Sequence, residues 1–71
     1  MEGYENKLKQ TLNATRVDYV SADDTYATYN VSGVGYIVIA VVNRMTGDCA
    51  LYSPFSGGIL KTLQLWETRI I

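Results

Sequence analysis

The side chains that could do chemistry are few in this chain, and catalysis is poorly supported. The 71 residues contain one cysteine, Cys49, and no histidine that could activate its thiol as a nucleophile. Asp48 directly precedes Cys49, and its negative charge disfavours a thiolate. We therefore interpret Cys49 as a small apolar residue on a strand, and we expect a protein that is not an enzyme and carries no cofactor.

Carboxylates offer the second possible chemistry. Asp23 and Asp24 are adjacent, and Asp18 lies five residues upstream. Such a group could bind magnesium or calcium, or support acid–base catalysis. Because no third ligand is adjacent to the pair, a hairpin turn in which aspartate accepts backbone hydrogen bonds explains it better. A small metal-binding or hydrolytic protein using Asp18, Asp23 and Asp24 is retained as an alternative.

A glycine pair precedes the most apolar segment of the chain. Gly33 and Gly35 lack the third glycine of a dinucleotide-binding loop, and they lead into a predicted strand rather than a helix. The uncharged run at 34–42 has nine residues, whereas a membrane span needs about 20. This run is therefore predicted to be a strand that is apolar on both faces, and both faces need a cover.

Charge and length limit the classes of partner. The net charge is −1, and the six basic residues are scattered along the sequence, so no clustered positive face for nucleic acid is predicted. The start of the chain has no apolar leader, which favours the cytoplasm, and no membrane association is expected. One domain spans 1–71, and with one cysteine it contains no internal disulfide. Self-association is the expected additional source of stability.

Periodicity predicts an α+β fold. Tyr4, Leu8 and Leu12 form a helical stripe over residues 3–13, with Asn13 as the stop. Alternation and turn residues predict two hairpins, at 14–31 and 35–53, which make a four-stranded antiparallel meander. The segment 59–71 has both helical spacing and strand-forming residues. A C-terminal helix is favoured there, and a fifth strand is the alternative.

Tyrosines are the strongest functional signal, because exposed tyrosine is enriched at protein interfaces. Both faces of the predicted strand at 25–31 carry a tyrosine, so a tyrosine remains on the unburied face whichever face is buried. In a C-terminal helix, Leu65 would point away from the apolar stripe and lie on the surface. The predicted interface residues are Tyr26, Tyr29, Tyr36, Leu65 and Trp66.

These features together predict a small non-catalytic protein-interaction module that binds another protein stoichiometrically. Size alone suggests an inhibitor or adaptor, such as a phage- or mobile-element-borne protein that blocks a host protein. A homodimer or higher homo-oligomer is also expected. The alternative in a different class is a structural subunit that self-assembles through its apolar sheet face or through Ile70 and Ile71.

Overall fold

The computed structural model describes residues 4–66, which form one helix and five strands. The elements in chain order are α1 (Tyr4–Leu12), β1 (Arg16–Ala22), β2 (Tyr26–Ser32), β3 (Val38–Asn43), β4 (Asp48–Tyr52) and β5 (Ile59–Gln64). Each strand pairs with the next in antiparallel orientation, so the sheet is a meander in the order β1-β2-β3-β4-β5. The α+β class is confirmed, with five strands where four were predicted.

The N-terminal helix follows the predicted stripe. Leu8 is fully buried, and Tyr4 and Leu12 pack against the core from positions one turn on either side. Asn13 has a φ of +54°, and the N–H of Ala14 donates to the carbonyl oxygen of Lys9 over 3.0 Å. This left-handed residue followed by a hydrogen bond back to the last turn is the Schellman ending of a helix. The predicted stop at Asn13 is thus confirmed.

Both predicted hairpins are present. In the first, β1 pairs with β2, and the N–H of Asp23 donates to the carbonyl oxygen of Tyr26 across the turn. In the second, β3 pairs with β4, and Gly47 takes a φ of +81° in the connection. A side chain with Cβ resists that conformation, so glycine suits the position. The strand β3 is shorter than predicted, because Tyr36 and Ile37 lie before it.

The favoured C-terminal helix is wrong where the structure describes that segment. Residues 59–64 form β5, and the alternative of a fifth strand is confirmed for them. Pairing with β4 satisfies backbone groups that would otherwise be exposed along the edge of β4. The helical spacing of apolar residues was misleading, because it requires Ile59 to lie on a buried face and Ile59 is 60% exposed. Residues 67–71, including Ile70 and Ile71, lie outside the described residues, as does residue 3 of the predicted helix.

One face of the sheet carries the core. Leu8 from α1 packs on this face, and so do Leu65 and Trp66, which follow β5. The rings of Tyr4 and Trp66 stack with centroids 5.2 Å apart, which joins the two covering segments. The buried residues contributed by the strands are Val17, Ala27, Tyr29, Val31, Val38, Ala40, Val42, Cys49 and Leu51.

The opposite face of the sheet is not covered by any of the described residues, and we call it the open face. We expected both sides of β3 to be covered. Its Val38, Ala40 and Val42 are buried, but Ile39 and Val41, which alternate with them, are only half-buried. Of the C-terminal residues that the structure describes, β5 extends the sheet at its edge, and Leu65 and Trp66 pack on the core side.

Candidate functional site

The strand registers align the side chains of the open face in three rows that cross the sheet. The apolar row contains Asn30, Ile39, Tyr52 and Ile59. The middle row contains Thr28, Val41, Ala50 and Thr62. The polar row contains Tyr26, Asn43, Asp48 and Gln64. Neighbouring rows are two residues apart along each strand, which corresponds to about 7 Å.

A groove of about 830 Å³ lies on the open face over the middle and polar rows. Val41 and the small Ala50 contribute to its lining at the middle of the sheet, between Tyr26 and Tyr52. The polar end of the groove is formed by Asp48 and its neighbours in the polar row. The groove therefore offers apolar and β-branched side chains in the middle and hydrogen-bonding groups at one end.

The centre of the open face is uncharged. Asp48 is the one charged residue among the twelve row positions on β2 to β5. Its carboxylate accepts hydrogen bonds from Thr46 Oγ1 at 3.0 Å and Gln64 Nε2 at 3.3 Å. Arg16 and Asp18 lie further out on β1, where Arg16 Nε is 2.8 Å from a carboxylate oxygen of Asp18. Because few charges must be dehydrated, an apolar or neutral polar surface can cover this face at low energetic cost.

The five predicted interface residues are not brought together. Tyr26 is 46% exposed in the polar row, whereas Tyr36 is 60% exposed at the opposite end of β3. Tyr29 lies in the core at 4% exposure, because β2 turns the face of Ala27, Tyr29 and Val31 inward. Among these residues, Tyr26 alone belongs to the open face.

The prediction that Leu65 is on the surface is wrong. It assumed a C-terminal helix, but the chain continues from β5 and places Leu65 in the core at 6% exposure. The N–H of Leu65 donates to the carbonyl oxygen of Gly47 over 2.8 Å, which fixes this segment against the second hairpin. Trp66 is half-buried and stacks on Tyr4, so it serves to hold α1 in place.

The main residues of the open face were missed from the sequence. They are Ile39, Val41, Tyr52 and Ile59. A signal for the first three was present, because β3 is apolar on both faces. Once Val38 and its alternate neighbours face the core, Ile39 and Val41 must face away, and the second hairpin places Tyr52 opposite Ile39. Ile59 could not be found, since it depends on the pairing of β5.

The residues that could do chemistry lie in surroundings that give them a structural role. Burial raises the pKa of the Cys49 thiol to about 11, so the neutral thiol is the stable form. Asp23 Oδ1 accepts hydrogen bonds from the N–H groups of Tyr26 and Thr25, and these bonds lower the pKa of Asp23. Asp18 is five residues away along the chain, which is roughly 15 Å for extended backbone. Within residues 4–66 no three acidic, cysteine or histidine side chains group as metal ligands do.

Comparison of the chain with protein families, curated proteins and solved structures gave no match to any of them. Within the described range, no helix has the length and apolar character needed to cross a membrane.

Proposed function

We propose that this chain is a small, non-catalytic protein-binding module that acts stoichiometrically, with the open face as its docking surface. One observation carries the proposal. Of the described residues, α1 and the pair Leu65 and Trp66 after β5 pack on the same face of the sheet and leave the apolar row on the other. Exposed apolar surface of this kind on a small soluble domain marks an interaction site.

The size of the open face indicates the strength of binding. Four strands about 4.8 Å apart and three rows about 7 Å apart give a flat footprint of roughly 400 Å². Stable interfaces bury about 800 Å² on each partner, which is about twice this footprint. Association itself costs an estimated 4–15 kcal/mol. A partner that covers only this face is therefore held weakly, and tight binding requires contacts beyond it.

Inhibitors and adaptors are the classes of stoichiometric binder that this proposal covers. We place the protein in the cytoplasm as part of the same proposal. Its single cysteine, Cys49, is buried as a free thiol, which suits a reducing compartment.

Affinity capture from a lysate of the source organism tests the proposal. The bait is the wild type, and a partner bound through the open face is expected in about stoichiometric amount. Ile59→Lys places a charge in the apolar row at an exposed position and is expected to abolish capture. Gln10→Lys adds the same charge at an exposed position of α1, on the other side of the sheet, and is expected to retain the partner. Thermal melting establishes that both variants fold.

Two results contradict the proposal. The first is recovery of the bait protein alone, which removes the expectation of a second protein. The second is a partner that Ile59→Lys retains and Gln10→Lys loses, which moves the docking surface from the open face to α1.

A further inference from the structure

We infer that the open face is a homodimer interface, in which a second copy packs face to face about a two-fold axis parallel to the strands between β3 and β4. The inference rests on the proposed function in taking the open face as the docking surface, and the second copy occupies that face when no other protein is bound. The inference is based on the chemistry of the three rows. Under this one symmetry operation each row faces the same row of the second copy, and the side chains that meet are compatible.

The proposed axis places β3 of one copy over β4 of the other, and β2 over β5. In the apolar row, Ile39 then faces the partner's Tyr52, and Asn30 faces the partner's Ile59. In the middle row, Val41 faces the partner's Ala50, so a larger side chain meets a smaller one. Thr28 faces the partner's Thr62, which pairs two hydroxyl groups. Because the operation is two-fold, each of these contacts occurs twice.

The polar row is matched by the same axis. Asn43 faces the partner's Asp48, so an amide that can donate a hydrogen bond meets a carboxylate that accepts one. Tyr26 faces the partner's Gln64, which offers both a donor and an acceptor to the phenolic hydroxyl. No pair in the three rows sets two like charges directly opposite each other.

Two other two-fold arrangements match less well. An axis over β3 would set Ile59 against the partner's Asp18, which is in the same cross-strand row as Asn30. An axis perpendicular to the strands would set the apolar row on the polar row, with Tyr52 over the partner's Asp48. Each places an apolar side chain against a carboxylate that must lose water. The axis between β3 and β4 avoids both problems.

The footprint sets the expected affinity. Two packed sheets lie about 10 Å apart, and each copy contributes roughly 400 Å² of flat area, with additional area from side-chain relief. Stable interfaces bury about 800 Å² on each partner. The dimer is therefore expected to be at the weak end of specific association, with a dissociation constant on the order of 10–100 µM.

Sedimentation velocity with charge variants of the middle row tests the inference. Thr28 and Thr62 are three strands apart within one chain, about 14 Å, yet they meet across the proposed interface. Thr28→Lys and Thr62→Glu, each alone, are expected to weaken the dimer at least about tenfold by placing a charge against a neutral partner. A mixture of these two variants is expected to form a heterodimer, because the lysine and the glutamate then face each other.

A matched control fixes the register. Thr28→Glu carries the same charge as Thr62→Glu, but the proposed axis keeps the two copies of residue 28 about 14 Å apart laterally. A mixture of Thr28→Lys with Thr28→Glu is therefore expected to remain largely monomeric. Circular dichroism and thermal melting of each variant show that the fold is kept.

Three results would overturn the inference. They are a wild type that stays monomeric up to about 500 µM, single variants that dimerise like the wild type, and equal recovery in the two mixtures. The inference and the proposed function fail separately. If the wild type is monomeric and Ile59→Lys abolishes capture of another protein, the homodimer is excluded and the binding module is supported. If dimer formation follows the charge pairing and no other protein is captured, the chain is a self-associating protein and the proposed function is excluded.

Discussion

Replacement of Gly47 by alanine tests how the second hairpin, the C-terminal segment and α1 are held together. Gly47 has a φ of +81°, and an added Cβ would lie 2.7 Å from a ring carbon of Trp66 and 2.9 Å from its carbonyl oxygen. The carbonyl oxygen of Gly47 also accepts the hydrogen bond from the N–H of Leu65. The substitution therefore strains the backbone and pushes away the segment that covers the core.

The expected loss of stability follows from these contacts. An alanine in the left-handed region costs about 1–2 kcal/mol. Displacement of the Trp66 ring removes its stack on Tyr4, and such stacks contribute about 0.5–1.5 kcal/mol. Reduced burial of Leu65 adds to the loss. The total for Gly47→Ala is about 3 kcal/mol, which is comparable to the roughly 3–5 kcal/mol that the core of a chain this small supplies.

Gly57→Ala is the matched control. Gly57 has a φ of +71°, and an added Cβ there meets no atom within 4 Å, so only the backbone cost of about 1–2 kcal/mol applies. Urea unfolding followed by far-UV circular dichroism gives both free energies of unfolding, and the fluorescence of Trp66 reports its own displacement. If the two variants lose the same stability, the contact between Gly47 and Trp66 does not hold the C-terminal segment, and this account of the fold is wrong.

Two further predictions concern titrating groups. Burial raises the pKa of Cys49 from 9.0 to about 11, so as pH rises the unfolded chain loses this proton before the folded chain does. The wild type therefore loses stability as pH rises between those two values. Urea unfolding at about pH 8 and about pH 10 should show a smaller drop in the free energy of unfolding for Cys49→Ala than for the wild type. Asp23 accepts two backbone hydrogen bonds and has a lowered pKa, so Asp23→Ala should lower the melting temperature near neutral pH while Asp24→Ala does not. The advantage of Asp23 should disappear as pH falls below 3.8, because protonation weakens both bonds; equal melting temperatures for the two variants would contradict its role in the turn.

The parts of the fold that depend on neighbouring residues could be predicted from the sequence. Asp23 closes the first hairpin with its own side chain, and Asn43 Oδ1 accepts the N–H groups of Met45 and Thr46 in the second. Helix α1 ends at Asn13 through contacts within one turn. Each of these signals acts over a few residues, so no knowledge of the tertiary structure is needed to interpret it.

The parts that depend on distant contacts could not be predicted. Residues 59–64 are a strand because β4 offers them an edge, and no local pattern reports that edge. The same limit applies to Tyr29, because α1, Leu65 and Trp66 determine which face of β2 is buried. The candidate site was affected most, because a surface on a sheet exists only after the strands have been assembled in register.

Both edges of the sheet have features that hinder the addition of a strand, which favours association through the open face. Both edge strands are irregular, with an extra residue at Val20 in β1 and at Leu60 in β5. Such bulges interrupt the ladder and are among the devices that keep sheet edges from pairing with another chain. Residues 36–42 are uncharged, free of proline and rich in strand-forming side chains, which is the kind of segment that aggregates when it is exposed. This run leads into and fills the central strand β3, whose backbone is paired on both sides. Within β3, Ile39 and Val41 are the residues of that run on the sheet surface, and Tyr36 and Ile37 are exposed just before the strand. A second molecule that covers Ile39 and Val41 does so by face packing rather than by adding a strand.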